Sequence, residues 1–325
     1  MDDVLAAFGL PGKIISAELV GRAWSNRVFH VCTSDGEYAI KELLNPWQEP
    51  DWLAWLEEAA AFELRAAQAG IAMPRPITSS QGLIFVEVGS ATYRAHEWIV
   101  GRPCPDGPVD EQTARLIGAE LARIHALQHF PGRADVFPTM TRATIDGWDA
   151  LVSRLADHDQ ELAGRAAAVA PAVRRIGELV DRSRTDFSGQ PMSHGDVDQK
   201  NLIITANGPV LCDWDVAAPW PPRQELARTA LSLAAWKIPG VARAVIAGYR
   251  EAGGEAYEIA AEDLGVDISV GLDWTVLCLE RAVGLRDDGE QRRREATESV
   301  VGLLADLDGR VEQIENIHPW LKGEV

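Results

Sequence analysis

Residues 194–215 constrain this chain more than any other stretch. They begin His194-Gly195-Asp196-Val197-Asp198-Gln199-Lys200-Asn201 and end Cys212-Asp213-Trp214-Asp215. Between lie two short β-prone runs, Leu202-Ile203-Ile204-Thr205 and Pro209-Val210-Leu211-Cys212, separated by Ala206-Asn207-Gly208. Asn-Gly between such runs is a strong hairpin signal, because its turn matches the twist of the flanking strands. A hairpin here returns the chain on itself. It places Asn201, before the first strand, and Asp213, after the second, at the same end.

Two oxygen-bearing side chains brought together in this way suit a hard cation such as Mg²⁺ better than Zn²⁺. With a second carboxylate nearby they make up the parts list for moving a phosphoryl group from a nucleotide to a hydroxyl. One carboxylate takes the hydroxyl proton, while the amide oxygen and the other carboxylate hold the metal. An ordinary surface hairpin would use the same Asp and Asn types merely as turn formers. The complete pattern, rather than any one residue, favours chemistry.

Composition narrows the classes. A chain of 325 residues with 46% hydrophobic and 25% charged residues can bury a substantial core in one large or two moderate domains. The formal charge of −18 argues against nucleic acid, whose backbone needs clustered Lys and Arg, and is compatible with a cationic small molecule. No apolar run approaches the ~20 residues that span a bilayer, and the opening Met-Asp-Asp-Val-Leu shows no secretory signal. Cys32, Cys104, Cys212 and Cys278 are scattered, with no CxxC pair. Three of them read as small buried hydrophobes, and a reducing cytoplasm is the simplest compartment.

Residues 14–41 alternate as three antiparallel strands, with Ser34-Asp35-Gly36 as a turn and Lys41 closing the third in Tyr-Ala-Ile-Lys. A helix is expected over 51–69, capped by Gly70 and followed by Pro74 and Pro76. Two more strands, at 82–86 and 92–98, complete a five-stranded sheet. The remainder reads as helices over 110–128, 145–160, 161–182, 225–236, 239–252, 262–285 and 291–315, apart from the hairpin. There is no GxxxxGK[ST], so a P-loop is absent, and no GxGxxG.

HGD-x4-N followed by an apolar strand and Asp-Trp-Asp, Tyr-Ala-Ile-Lys upstream, and Gly118-x-x-Leu121-Ala122-x-x-His125 together resemble the aminoglycoside phosphotransferase superfamily, which includes choline kinases. The resemblance implies an α+β, protein-kinase-like bilobal fold. An antiparallel-sheet nucleotide lobe would cover residues 1–98, and a mostly helical lobe with the catalytic loop and substrate site residues 99–325. By position, Asp196 matches the catalytic base, and Asn201 and Asp213 the Mg²⁺ ligands. Lys41 matches the lysine that holds the ATP phosphates, oriented by a helix glutamate for which Glu58 is favoured over Glu57 and Glu63. Ser25 and Asn26 fall where a phosphate-covering loop belongs, and Glu97, Trp98 and Ile99 at an adenine-contacting hinge. His194 and Glu225 match residues that brace the catalytic loop.

This chain departs from the commoner HGDLHPGN wording by carrying Asp198, Gln199 and Lys200. Lys200 is therefore either a catalytic ammonium directed at the transferring phosphate or a solvated loop lysine. Acceptor-lining candidates are Asp215, Asp146, Trp148, Asp149, Trp274 and Glu280, with Trp148 between two aspartates suited to a cation. The expected activity is ATP-dependent phosphorylation of a hydroxyl on an amine-bearing acceptor such as an aminoglycoside-like antibiotic, in an antibiotic-resistance or a metabolic role. The alternatives are a kinase for a sugar, amino sugar or amino alcohol, and a non-catalytic pseudokinase. HRD, DFG and APE are absent, which disfavours a protein kinase.

Overall fold

Strand alternation after residue 13 builds an antiparallel sheet whose two faces have different duties. The structure is a computed structural model that describes residues 1–20, 26–44, 51–137, 142–286 and 289–324. It opens with a helix α1 (Asp2–Phe8), then β1 (Ile14–Val20), β2 (Asn26–Thr33), β3 (Glu37–Leu43), α2 (Trp52–Gln68), β4 (Pro76–Ile77), β5 (Phe85–Val88), β6 (Ala91–Glu97), β7 (Arg102–Pro103) and α3 (Glu111–His125). Helices α4 (Ala143–Asp146), α5 (Trp148–Ala156), α6 (Gln160–Ala168) and α7 (Ala170–Arg182) follow. Next come β8 (Met192–Ser193), β9 (Leu202–Thr205), β10 (Gly208–Leu211) and β11 (Ala218–Pro219). Helices α8 (Pro222–Leu233), α9 (Pro239–Glu251), α10 (Gly265–Ala282), α11 (Glu290–Glu315) and α12 (Ile317–Lys322) close the chain. None of the described helices is long and apolar enough to cross a membrane.

The large sheet runs β1-β2-β3-β6-β4, with β5 also paired to β6, so it has six strands among the described residues rather than five. The unforeseen strand is the two-residue Pro76–Ile77, pairing with Ala95 and His96. Proline cannot donate to a ladder and reads as a breaker, yet at a sheet edge it is tolerated. In the register of β2 against β3, Val28 faces Lys41, His30 faces Ala39 and Cys32 faces Glu37. Because side chains alternate, these six share one face. The other face carries Val31, Ile40, Val86 and Ala95, which pack with Val4, Leu5 and Phe8 of α1 into a core cluster.

The chain divides into two compact units. The first comprises Met1–Phe137, Ser188–Pro222 and Ala244–Glu255, and the second Pro138–Phe187, Arg223–Arg243 and Ala256–Val325. Within the first, α3 buries Ala114, Ile117, Leu121 and Ile124 at helical spacing. It meets the end of α9 backbone to backbone: a Cβ on Gly118 would strike the Val245 carbonyl, and one on Gly248 the Arg115 carbonyl. His125 donates or accepts at 2.8 Å with the Tyr249 hydroxyl in the same contact.

Within the second unit, α7, α10 and α11 pack through Ile176 and Leu179, Leu272 and Leu279, and Leu304, Leu307 and Val311, all buried. The single helix expected over 161–182 is two. Pro171 lies in the first turn of α7, where its missing N–H costs nothing, whereas in a continuous helix it would remove a hydrogen bond.

Gly118→Ala and Gly248→Ala are each expected to destabilise the protein by roughly 1–3 kcal/mol through overpacking. Gly302→Ala, where a Cβ meets nothing within 4 Å, should be neutral or stabilising by ~0.4–1 kcal/mol. Urea unfolding of the three variants would show the contrast.

Candidate active site

The loop from His194 to Asn201 is held by its own side chains. His194 is fully buried. Its Nε2 lies 3.0 Å from the Cys212 carbonyl, and its Nδ1 accepts from the Asp196 N–H at 3.2 Å. One nitrogen must donate and the other accept, so the ring is the neutral Nε2–H tautomer and ties the loop to the hairpin. Gly195 has φ +76, and a Cβ there would sit 2.9 Å from the Trp220 indole nitrogen. Only glycine makes this corner without strain.

Asn201 donates through Nδ2 to both the Asp196 carbonyl (2.8 Å) and its Oδ2 (2.9 Å). That leaves the amide Oδ1 as the atom directed elsewhere. Lys200 Nζ sits 3.0 Å from Asp196 Oδ2 and is largely exposed, whereas the Asp196 side chain is only 16% exposed. Asp198 caps the short turn by accepting from the Lys200 N–H at 3.0 Å. On the hairpin, Leu202 pairs with Leu211, and the Cys212 N–H donates to the Asn201 carbonyl at 2.9 Å. Asn201 and Asp213 therefore stand one residue apart across the ladder, at the end the turn chemistry requires. Asp213 adopts a left-handed backbone, φ 65, uncommon for a residue with a side chain.

Lys41 donates to Asp213 Oδ1 at 2.6 Å and to Asp215 Oδ2 at 2.7 Å. Arg94, directly across from Lys41 on β6, forks between Asp215 Oδ1 and Glu63 Oε2. His96 completes the chain at 3.0 Å from Glu63 Oε1. Asn26 donates to Asp215 Oδ2 at 3.1 Å while accepting from the Leu44 N–H.

The sequence profile of the phosphotransferase enzyme family (APH) matches residues 16–262. The chain belongs to this family. It is an ATP-dependent phosphotransferase with a hydroxyl acceptor. No curated protein matches it by sequence. Among solved structures, spectinomycin phosphotransferase in complex with ADP and spectinomycin is 13% identical, with TM-score 0.74, covering 94% of this chain and 97% of that one. A microcompartment-associated aminopropanol kinase gives 15%, 0.63, 96% and 97%. A choline/ethanolamine kinase family protein from Mesorhizobium loti gives 18%, 0.53, 94% and 97%. These similarities show the protein-kinase-like fold.

Four expectations are corrected by the geometry. Glu58 does not orient Lys41: its carboxylate accepts the Gly132 and Arg133 N–H groups at 2.8 and 2.9 Å. The buried glutamate of α2 is Glu63, in phase with Leu56, Ala59, Ala60 and Ala66. Asp215 is buried and engaged by Lys41, Arg94 and Asn26, so it anchors the cluster rather than lining an acceptor site. Asn26 spends its amide on Asp215 and Leu44 rather than on phosphates. Trp148 is buried and its indole N–H donates to the Ala166 carbonyl at 3.1 Å, so it presents no face to a cation. Ser25 lies outside the described residues.

At the hinge, the Glu97 N–H donates to the Arg75 carbonyl and the Trp98 N–H to that of Glu37. Ile99 is half-buried. In the second unit, Asp146 is exposed and paired with Arg142 at 3.5 Å, and Asp149 is exposed. Trp274 is half-buried, with the Arg281 guanidinium over its ring. Glu280 bonds Arg154 and Arg286, and Glu225 is fully buried on α8.

Arg94 and His96 escaped the sequence reading and Glu63 was ranked below Glu58, although each left a signal. Glu63 falls on the apolar stripe of its helix. Arg94 and His96 alternate in β6 on the face of Lys41.

Electrostatics explain why the cluster is stable. Burial disfavours the Lys41 ammonium, but Asp213 and Asp215 outweigh it and raise its pKa. Burial likewise works against ionised Asp215, yet Lys41 and Arg94 hold its carboxyl well below the usual range. Burial, then repulsion from Arg94 and Lys41, pushes His96 well below its ordinary value, so it is neutral in the fold.

Arg94→Met would leave Glu63 and Asp215 short of a buried partner. The expected cost is about 3–5 kcal/mol in chemical denaturation. The pH dependence follows from His96: below about pH 6.5 the unfolded chain binds a proton that the folded ring refuses, so stability falls as pH drops. Asp215 adds to this loss further down, its contribution draining as pH falls through and below the ordinary carboxylate range. His96→Gln should flatten the fall in unfolding free energy between pH 7.5 and 5.5.

Proposed function

We propose that this chain transfers the γ-phosphate of ATP to a hydroxyl of a small amine-bearing acceptor, with Asp196 as the base. The supporting observation is the junction at the hairpin's end. The Asp196 carboxylate is oriented by Asn201 and flanked by Lys200, and Asp213, one residue from Asn201 across the ladder, is in the grip of Lys41. Phosphoryl transfer asks mainly for positioning and electrostatic stabilisation, and each of these contacts supplies one or the other.

The donor set fits Mg²⁺. Asn201 Oδ1 and the Asp213 carboxylate are hard oxygens, and the buried cluster carries one more carboxylate (Asp213, Asp215, Glu63) than cations (Lys41, Arg94). Bound there, Mg²⁺ would neutralise charge between the phosphates. An ammonium has three donors. Lys41 gives two to Asp213 and Asp215, so the third is available to a phosphate oxygen. Asp196 accepts the acceptor's proton, and Lys200 adds a positive charge at the same loop. The backbone of Glu97 to Ile99 contacts the nucleobase, through carbonyls and the Ile99 N–H.

An amine-bearing acceptor is favoured by the net charge of −18, which draws cations. It is supported too by neighbours named for aminopropanol, ethanolamine and choline, alcohols that carry nitrogen. Aminoglycoside-like antibiotics and amino alcohols are the two acceptor classes to separate. Thermal-shift screening with MgATP across both, followed by coupled ADP release, would identify the acceptor.

Asp196→Ala is expected to lower kcat by about 10²–10⁴ while MgATP affinity, measured by calorimetry, stays close to that of the parent. Near-normal turnover at saturating MgATP would overturn the assignment.

A further inference from the structure

Three side chains of different chemistry meet on the β2–β3 hairpin, outside the cluster just described. His30 Nε2 lies 2.8 Å from Glu37 Oε2 and 3.4 Å from Cys32 Sγ. A ligand atom from each of the three lies within 4.8 Å of the other two. A cross-strand His–Glu pair alone is an ordinary surface contact. The thiol changes its meaning, because one ring nitrogen faces both a carboxylate oxygen and a sulfur and cannot donate one proton well to both.

We propose that His30, Cys32 and Glu37 form a binding site for a borderline divalent transition-metal ion of the Zn²⁺ class. Ligands of a tetrahedral Zn²⁺, at ~2.0–2.1 Å for nitrogen and ~2.3 Å for sulfur, lie on the order of 3.3–3.6 Å from one another. The His30–Glu37 and His30–Cys32 spacings, 2.8 and 3.4 Å, need only a small opening to admit the ion. Three protein ligands leave one coordination position for water. Thiolate and imidazole select such an ion over Mg²⁺, which prefers oxygens.

The site is held ready by its surroundings. Register fixes Cys32 opposite Glu37 and His30 two residues along on the same face. The connecting turn is stitched by Thr33, whose N–H donates to the Gly36 carbonyl and whose hydroxyl accepts from the Asp35 and Gly36 N–H groups. The His30 ring is stacked on Trp98, centroids 3.7 Å apart and planes 12° from parallel. A ring fixed in this way loses little freedom on metal binding. The His30 and Glu37 side chains are 24% and 51% exposed, so an ion can enter from solvent.

This site shares a sheet face with Lys41 but is separate from it. Glu37 lies four residues along β3, about 13 Å at the strand rise. Its occupancy does not depend on the phosphotransfer reading.

Untagged, chelator-treated protein titrated with Co²⁺ should develop a thiolate-to-metal charge-transfer absorption at one ion per chain, and Zn²⁺ should displace it. The band reports Cys32. The other thiols are poor thiolates: burial and Asp213 push Cys212 up to about 12, burial pushes Cys278 up to about 11, and burial raises Cys104. Cys32→Ser should abolish the band. Glu37→Gln, a surface change compatible with folding, should weaken Co²⁺ binding at least about tenfold, and millimolar Mg²⁺ should not compete. No charge-transfer band in the parent, or an unchanged band in Cys32→Ser, would overturn the proposal.

Discussion

The site depends on one shared acceptor, the carboxylate of Asp215. Lys41 and Arg94 are directly opposed across two strands, an arrangement that by itself is repulsive. Asp215 resolves it by taking Nζ of Lys41 on one oxygen and the Arg94 guanidinium on the other. Asp213 then gives Lys41 a second acceptor and Glu63 gives Arg94 one. Removing either cation would leave carboxylates uncompensated in a largely buried setting, where breaking a pair costs far more than the intact pair contributes. The cluster thus stabilises one arrangement of β3, β6, α2 and the hairpin end together. Lys41 reaches Asp213 in that arrangement.

Much of this site was legible from residues 194–215 alone, because hairpin chemistry is local. The turn closes through Ala206-Asn207, with Gly208 (φ 119) paired to Thr205; the turn sets the register, and the register places Asn201 near Asp213. The helices were equally readable where their apolar stripes are long, as in α3 and α11. The two-residue strand Pro76–Ile77 is too short for any periodicity, and its proline signals an end. Helix α1 carries only seven residues, below the length at which local propensity decides anything.

The misreading of Glu58 has a different origin. Spacing to the helix end says which residues are near in sequence, whereas burial phase says which face the sheet. Glu63 shares the phase of Leu56, Ala59 and Ala60 and is 1% exposed. A glutamate on an apolar stripe needs a buried cation, and the nearest one available is Arg94 rather than Lys41. Lys41 is consequently paired from the hairpin side alone. The glutamate of α2 still supports it, but at one remove, through Arg94 and Asp215.

That indirect pairing bears on how the active face of the sheet is organised. Three successive cross-strand rows carry different chemistry: Val28, Lys41 and Arg94; His30, Ala39 and His96; Cys32 and Glu37. The first row is cationic and collects carboxylates, which leaves oxygen donors at the hairpin for a hard ion. In the second, burial and then the cations beside it keep His96 neutral, so it can donate to Glu63 without adding charge. The third is remote from those cations, and there a carboxylate and a thiol meet the His30 imidazole without competition from Lys41 or Arg94. The hard oxygen donors at the end of the β9–β10 hairpin and the soft donors on the large sheet are therefore kept apart, and the arginine–lysine row engages the first and not the second.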